Sequence, residues 1–230
     1  MTDVASWDTA AAQWIAWVRT KNHDPFWAYQ SAFEAFVGAG PGQGVELGAG
    51  EGRISRVLGA LGWEMTVVEP IVPLLSAAEA AESGARYVKA PGHDVPLGRG
   101  AFDLVVLYNV LMDVDDLMGT AGEAARLVSP GGRVIVGIVH PIQDVRTGDE
   151  RATYFKPQHV DVTLEDNGLS MRFCGWRRPL SAYVNALSAA GLAMTQMAEP
   201  APDPAHPAAG RFPAAQTTPM FLWMEFAAPG

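Results

Sequence analysis

The stretch that decides the fold runs from Val45 to Arg53 and reads VELGAGEGR. A short apolar segment carries the acid Glu46 and opens into three alternate glycines. The next apolar segment, Met65–Val68, ends at a second acid, Glu69. Glycine permits positive φ angles and close approach of a ligand to the backbone, and the start of a helix favours polar ligand groups. The pattern therefore predicts a nucleoside-binding site at the edge of a parallel sheet.

The spacing of the glycines separates two kinds of nucleoside site. The dinucleotide fingerprint is G-x-G-x-x-G, and its third glycine falls where this chain has Arg53. An acid before the glycines suits a ligand with a cationic ammonium better than a pyrophosphate. Glu69, at the end of a strand, is placed to accept hydrogen bonds from both hydroxyls of a ribose. A nicotinamide oxidoreductase is therefore disfavoured, although it stays as a minor alternative.

Alternating strand and helix patterns surround this turn and predict an α/β fold with a doubly wound parallel sheet. Apolar segments predict strands, and helical spacing or a terminating Pro-Gly-Gly predicts the helices between them. The expected strands are Val45–Leu47, Met65–Val68, Arg86–Val88, Phe102–Tyr108, Arg133–Val139, Leu192–Met197 and Met220–Phe226. The expected helices after the glycine turn are Arg53–Leu61, Val72–Ser83, Asp116–Val128 and Pro179–Ala190.

The chain divides into a cap, a main domain and an insertion. Residues 1–40 predict an N-terminal helical cap with helices over 3–20 and 24–37, rich in Trp and Phe. Residues 41–230 form the ligand-binding domain, with 141–178 as an insertion on the substrate side. Asn167-Gly168 in that insertion predicts the turn of a β-hairpin. The cap has two interpretations, a cover for the core and a lid over an apolar substrate.

Composition narrows the classes of partner. The chain has 230 residues, 49% of them hydrophobic, and a formal charge of −9. An acidic surface repels phosphate backbones, which argues against a nucleic-acid substrate. Cys174 is the single cysteine, which fits a reducing compartment. The chain shows neither a signal-peptide pattern nor an apolar stretch long enough to cross a bilayer. We expect a cytoplasmic protein without a membrane partner, and the oligomeric state, monomer or homodimer, stays open.

Several motifs in order resemble the class I S-adenosylmethionine-dependent methyltransferases. They are Glu46–Gly52, Glu69-Pro70, Phe102–Val105 and Leu127–Gly132, and the resemblance covers about residues 40 to 140. It implies a mostly parallel seven-stranded, Rossmann-like sheet with an antiparallel last strand. It also implies methyl transfer with S-adenosylmethionine as cofactor and no metal. The segment from Trp176 to Leu187 resembles the members that methylate small molecules, often bacterial natural products.

The resemblance assigns cofactor contacts to particular residues. Glu46 and the turn with Gly48, Ala49, Gly50 and Gly52 would hold the methionine part of the cofactor. Glu69 would bind the ribose, and Pro70 would lie near the adenine. The family often places an acid after the third strand, where this chain has Pro91, so the adenine contact moves to His93, Asp94 or Val95. Tyr108 and Asn109 would border the methionine end.

His140 is the leading candidate for a general base. It ends the fifth predicted strand, at the carboxyl edge where open sheets bind ligands, and its unperturbed pKa of about 6.5 suits proton transfer at neutral pH. The competing interpretation is a strand-end histidine bonded to nearby backbone. Tyr154 and His159, in the insertion, are weaker candidates. Methyl transfer from a sulfonium mainly needs alignment, so a fixed base is not obligatory.

The acceptor is the least specified part of the function. Trp14, Trp17 and Tyr154 are candidate contacts for an apolar or aromatic small molecule, and Arg177 for a substrate carboxylate. The same residues also suit a packed cap and a solvated basic pair. An alternative from another class is a protein that binds S-adenosylmethionine as a partner or sensor without transferring the methyl group. Nothing in the sequence separates O-, N- and C-methylation.

Overall fold

The computed structural model describes residues 3–145 and 154–228. Its centre is a seven-stranded sheet with the strand order β3-β2-β1-β4-β5-β9-β8. The strands are β1 (Gln43–Leu47), β2 (Glu64–Val68), β3 (Arg86–Val88), β4 (Phe102–Tyr108), β5 (Val128–Val139), β8 (Ala193–Ala198) and β9 (Phe221–Ala227). A separate hairpin pairs β6 (Gln158–Asp166) with β7 (Leu169–Arg177).

The sheet is parallel except at one strand. β1 pairs in parallel with β2 and β4, so that Val45 lies beside Thr66 on one side and Val105 on the other. β9 runs antiparallel to both β5 and β8. The predicted doubly wound fold, with a mostly parallel seven-stranded sheet and an antiparallel last strand, is confirmed. Because β1 is central, its carboxyl end lies where the strand order reverses, the usual ligand position in such sheets.

The helices lie close to where their sequence patterns predict them. They are α1 (Asp3–Arg19), α2 (Gln30–Val37), α3 (Arg53–Ala60), α4 (Val72–Ala80), α5 (Leu117–Leu127), α6 (Ile142–Val145) and α7 (Leu180–Ala189). A 3-10 helix, Pro25–Ala28, replaces the first part of the predicted helix 24–37. Two more 3-10 turns, Pro207–Arg211 and Pro213–Gln216, lie in the proline-rich segment between β8 and β9. Strand β5 begins earlier than predicted, at Val128 instead of Arg133. No helix in the described ranges has the length and apolarity to cross a bilayer.

Two apolar layers cover the two faces of the sheet. One contains residues of α5 and α7, including Ala124 and Leu187, packed against strand residues such as Val105 and Val136. The other contains the 3-10 helix, α2 and α3, with Phe26, Phe33 and Leu58 against the opposite face. Strand residues buried on both faces explain why β4 reads as a continuous apolar run.

Helix α1 does not lie on the sheet. It packs against β7 of the hairpin through Trp17, Val18 and Met171, and against the start of α4 through Ala11, Ile71 and Leu74. The hairpin is fixed to the loop after β4, because the Trp176 amide donates to the Met112 carbonyl at 2.7 Å. The cap and the inserted hairpin therefore meet above the carboxyl edge of the sheet.

Candidate functional site

The glycine turn leaves β1 in a conformation that needs glycine. Gly48, Gly50 and Gly52 have φ angles of 68°, 58° and 81°, which side chains with a Cβ rarely adopt. The Gly48 and Ala49 amides donate to the Val68 carbonyl at 2.9 and 3.0 Å, which fixes the turn to β2. A Cβ at Gly48 would overlap Val110, and one at Gly52 would overlap Ser83. The sequence pattern is therefore a requirement of the backbone.

Glu46 lies beneath this turn and is buried, with 1% of its surface exposed. One of its carboxylate oxygens accepts from the Ser55 amide at 2.9 Å and from the Ser55 hydroxyl at 2.6 Å. Burial raises the pKa of Glu46 to about 8, against the opposing effect of the Ser55 hydrogen bonds and the nearby Arg53 charge. A cationic ligand group beside Glu46 would restore its ionised form.

Glu69 connects the end of β2 to the turn. Its carboxylate accepts from the Gly50 amide at 2.8 Å and from the Ile71 amide at 2.9 Å, and the residue is 4% exposed. Burial raises the pKa of Glu69 to about 7, although both amide hydrogen bonds oppose the shift. The two acids identified in the sequence thus border one turn. We call Glu46–Arg53 together with Glu69 the cofactor wall.

A cavity opens beside the cofactor wall. It encloses about 960 Å³, including its open mouth. The opposite side, which we call the cap wall, consists of four residues of α1: Val4, Trp7, Trp14 and Val18. The Trp14 indole nitrogen would lie 3.3 Å from a Cβ at Gly50, so α1 closely approaches the turn. The cavity therefore lies between the glycine turn and the N-terminal helix.

Asn109 borders this cavity at the end of β4. It follows β4 with a φ of 53°, and its amide donates to the Gly137 carbonyl at 2.7 Å. Its Oδ1 is buried and has no hydrogen-bond partner within residues 3–145 and 154–228. Buried acceptors without a partner are uncommon, and a ligand that donates a hydrogen bond would satisfy this one. Together with Glu46 and Glu69, it makes the cavity suitable for a ligand with an ammonium group and ribose hydroxyls.

Most of the residues assigned to the cofactor line this one cavity. They are Glu46, Gly48, Ala49, Gly50, Glu69, Pro70, His93, Tyr108 and Asn109. Gly52, Asp94 and Val95 are not in the lining. Gly52 is the N-cap of α3, Asp94 faces solvent, and Val95 is in the core with its amide donating to Glu123. The cofactor roles of these three residues stay predictions, and after β3 the cavity is lined by Pro91, Gly92 and His93.

His140 lies outside the lining of the cavity. Its Nε2 is 2.9 Å from Glu199 Oε1, and its Nδ1 accepts from the Ile142 amide at 3.0 Å. Both ring nitrogens are therefore bonded to groups outside the cavity lining. This agrees with the competing interpretation, in which a histidine at the end of a strand bonds to nearby groups. The structure gives no geometry for His140 as a base. Tyr108 does line the cavity, but burial raises the pKa of its hydroxyl well above its usual range.

The candidate acceptor residues separate in the same way. Trp14 lines the cavity, but Trp17 does not, because it packs against His23 of the cap and Phe173 of the hairpin. The Tyr154 hydroxyl accepts from the Leu180 amide, and Tyr154 and Arg177 are absent from the lining. Arg178 is buried and donates to the Leu111 and Val114 carbonyls, so it holds the loop after β4. Of the four candidate acceptor residues, Trp14 alone is in the lining, and the acceptor contacts stay predictions.

Several lining residues escaped the sequence analysis, among them Trp7, Arg53, Ile71, Leu74 and Asp113. Trp7 lies seven residues before Trp14, so helical spacing already placed both on one face. Arg53 was noted for breaking the dinucleotide pattern but was given no role. Ile71, Leu74 and Asp113 carried no signal, because their position depends on how α1 and the loop after β4 meet.

Comparison with known proteins relates part of this chain to methyltransferases. Residues 45–136 match the family described as methyltransferase domain. An uncharacterized methyltransferase of Mycobacterium sp. (strain JLS) is 32% identical over 92 residues, which are 40% of this chain and 36% of that protein. The chain thus aligns with about a third of the length of that relative.

Solved structures share the fold over a longer stretch. The CcbJ methyltransferase of Streptomyces caelestis has a TM-score of 0.68 at 18% identity, with 100% of both chains covered. The glycopeptide N-methyltransferase MtfA in complex with S-adenosylmethionine has a TM-score of 0.61 at 17% identity, with 88% of this chain and 93% of that chain covered.

Residues 45–136 thus match a methyltransferase domain, and the fold is shared with solved methyltransferases, which agrees with the class I resemblance. The comparisons support S-adenosylmethionine as the cofactor of the domain.

Proposed function

We propose that this protein transfers a methyl group from S-adenosylmethionine to a small-molecule acceptor. The observation that carries the proposal is one cavity that joins the glycine turn, Glu69 and an aromatic wall from α1. A cofactor on the turn and an acceptor beneath Trp7 and Trp14 would share this space. Proximity of the two reactants is the main requirement of the reaction.

The residues of the cavity fit the parts of the cofactor. Glu69 would accept hydrogen bonds from the ribose hydroxyls, and Ile71 and Leu74 would contact the adenine side. Glu46 and the Asn109 Oδ1 would accept from the ammonium of the methionine part. The turn from Gly48 to Gly50 leaves room for the methionine part of the cofactor, because neither Gly48 nor Gly50 carries a side chain.

When bound, S-adenosylmethionine supplies a methyl group on a sulfonium, which is already activated for displacement. The residues of this chain would orient the reactants and exclude water. Tyr108, Asn109 and Val110 border the cavity on the side of β4, and α1 closes the opposite side. We therefore propose catalysis by alignment, without His140 as a base.

The size and charge of the site favour a small acceptor. Helix α1 covers one side of the cavity, which would hinder a folded macromolecule, and the net charge of −9 disfavours nucleic acid. We propose that the acceptor is a metabolite of the natural-product kind, and the similarity in fold to a glycopeptide N-methyltransferase supports this choice. We also propose that the protein acts in the cytoplasm. A binding role without transfer is the second candidate. The open space next to Asn109 favours transfer, because a sensor does not need room for an acceptor.

The cofactor assignment can be tested by calorimetry with S-adenosylhomocysteine. We expect Glu69→Ala to weaken binding by about 10- to 100-fold, because it removes acceptors for two ribose hydroxyls and a partner of the turn. The matched control is Glu64→Ala, at the exposed start of the same strand. Equal affinity in the parent and in Glu69→Ala would show that the ribose assignment is wrong.

The acceptor class can be tested with methyl-labelled S-adenosylmethionine and a cell extract. We expect label to appear in the small-molecule fraction with the parent and not with Glu69→Ala. Label in precipitated protein or nucleic acid would contradict a small-molecule acceptor. Tight cofactor binding with no labelled product in any fraction would favour the sensor.

A further inference from the structure

Two ion pairs of opposite polarity connect the N-terminal cap to the glycine turn. Arg19, the last residue of α1, donates from its Nε to Glu51 Oε2 at 2.8 Å. Arg53 Nη1 lies 2.8 Å from Asp24 Oδ1. Glu51 and Arg53 flank Gly52, while Arg19 and Asp24 bracket the segment that links α1 to the 3-10 helix. Each side of the contact thus supplies one acid and one base.

The first pair is centred on a buried acid. The Glu51 side chain is 2% exposed, whereas that of Arg19 is 42% exposed. Both carboxylate oxygens of Glu51 also accept from Arg56 Nη2, at 2.7 and 2.9 Å, so α3 orients the carboxylate. Arg19 donates in addition to the Ala77 carbonyl of α4 at 2.9 Å. The end of α1 is therefore fixed at two points beside the cofactor wall.

The second pair is buried on both sides, with 8% exposure for each side chain. It is a charge contact whose geometry is not that of a hydrogen bond. The Arg53 guanidinium lies 4.6 Å from the centre of the Phe26 ring, and Asp24 accepts from the Phe26 amide at 2.9 Å. Asp24 thus holds the start of the 3-10 helix and the start of α3 together.

These contacts have a consequence for ligand exchange. Helix α1 carries Trp7 and Trp14 across the cavity, and Trp14 lies close to Gly50. A ligand on the cofactor wall is covered by the helix whose end is bound to Glu51. A movement of α1 away from the ligand would break the contact between Arg19 and Glu51.

We propose that Glu51 and Arg53 are positioning residues that couple occupancy of the cofactor wall to closure of the cap. The inference rests on the proposed function, because it takes the ligand of this wall to be S-adenosylmethionine or its product. A ligand between the glycine turn and α1 contacts both, so it stabilises the closed arrangement in which Arg19 meets Glu51 and Asp24 meets Arg53. Ion pairs that serve only to stabilise the fold would not respond to the ligand.

The test uses Arg19→Gln, because a half-exposed residue at a helix end is replaced without disturbing the core. We expect tritiated S-adenosylhomocysteine, chased with unlabelled ligand, to leave the variant about threefold faster or more than it leaves the parent. The matched control is Lys21→Gln, which removes the same charge two residues later; Lys21 makes no ion pair within the described chain. We expect the control to match the parent.

Hydrogen exchange separates coupling from simple stabilisation. We expect S-adenosylhomocysteine to slow amide exchange across α1 in the parent, and to slow it less in Arg19→Gln and in Asp24→Asn. The coupling is wrong, and the proposed function stands, if the ligand binds the parent but protects α1 equally in the parent and in both variants. The same holds if the ligand dissociates from Arg19→Gln no faster than from the parent. If the ligand does not bind the parent, the proposed function fails and the coupling fails with it.

Discussion

The two sides of the cavity are built by different means. The cofactor wall is a backbone structure, because three glycines with positive φ and two acids that accept backbone amides define it within the segment 46–69. The cap wall is a side-chain structure, because Trp7 and Trp14 reach the cavity only through the packing of α1 on β7 and α4. The cofactor wall therefore depends on local sequence, and the cap wall on contacts between distant segments.

The largest expected effect concerns the backbone of the cofactor wall. Gly48→Ala should lower the free energy of unfolding by about 2 to 4 kcal/mol, because a Cβ at a φ of 68° is strained and overlaps Val110. Gly59→Ala is the control, since a Cβ at this exposed glycine of α3 would meet no atom within 4 Å. It should stabilise by up to about 1 kcal/mol. Urea unfolding measures the free energy of unfolding of both variants. Equal effects of the two substitutions would contradict the claim that the turn needs glycine at position 48.

This contrast explains what the sequence could predict. The turn, the two acids and the alternation of strands and helices follow from short-range rules, so Val45–Arg53 and Met65–Glu69 together predict that Glu46 and Glu69 lie beside one turn. Helix α1 was also predicted, but its docking was not, because helical spacing shows an apolar face without showing its partner. Met171, which α1 contacts, lies far from it in the chain, on the inserted hairpin.

The surroundings of His140 likewise could not be predicted from the sequence. The end of β5 is at the carboxyl edge of the sheet, as predicted, but β9 and β8 extend the sheet beyond it, and Glu199 follows β8. The histidine is bound there instead of facing the cavity. Strand position alone could not show this, because it depends on which strand is the neighbour.

The second expected effect is a dependence of binding on pH. Burial raises the pKa of Glu69 to about 7 and that of Glu46 to about 8 in the ligand-free protein. Both carboxylates accept hydrogen bonds from the ligand when ionised, so binding releases protons. Affinity for S-adenosylhomocysteine should rise about tenfold or more from about pH 5.5 to 7.5. Titrations in buffers of different ionisation enthalpy measure the proton release directly.

The control for this dependence is Glu69→Gln, which should bind more weakly at neutral pH and respond less to pH. The same pKa values have a consequence for stability. Because the folded protein holds these protons above the unfolded value of about 4.5, the free energy of unfolding without ligand should fall as pH rises through about 7 to 8. An affinity that falls over the same rise in pH would contradict the assigned role of the two acids.

The smallest expected effect lies outside the cavity. His140→Gln should leave the affinity for S-adenosylhomocysteine within about twofold and the free energy of unfolding within about 1 kcal/mol, because the partner Glu199 is largely exposed. Calorimetry and urea unfolding check these values. A loss of affinity as large as that of Glu69→Ala would mean that the carboxyl end of β5 belongs to the site.

A crystal structure of the protein with S-adenosylhomocysteine tests the central claim most directly. The account predicts the ribose hydroxyls within hydrogen-bond distance of Glu69, the amino group next to Glu46 and Asn109, and Trp14 closing over the Gly48–Gly50 turn. A ligand bound elsewhere on the protein, or bound with Glu69 still holding only the Gly50 and Ile71 amides, would contradict it.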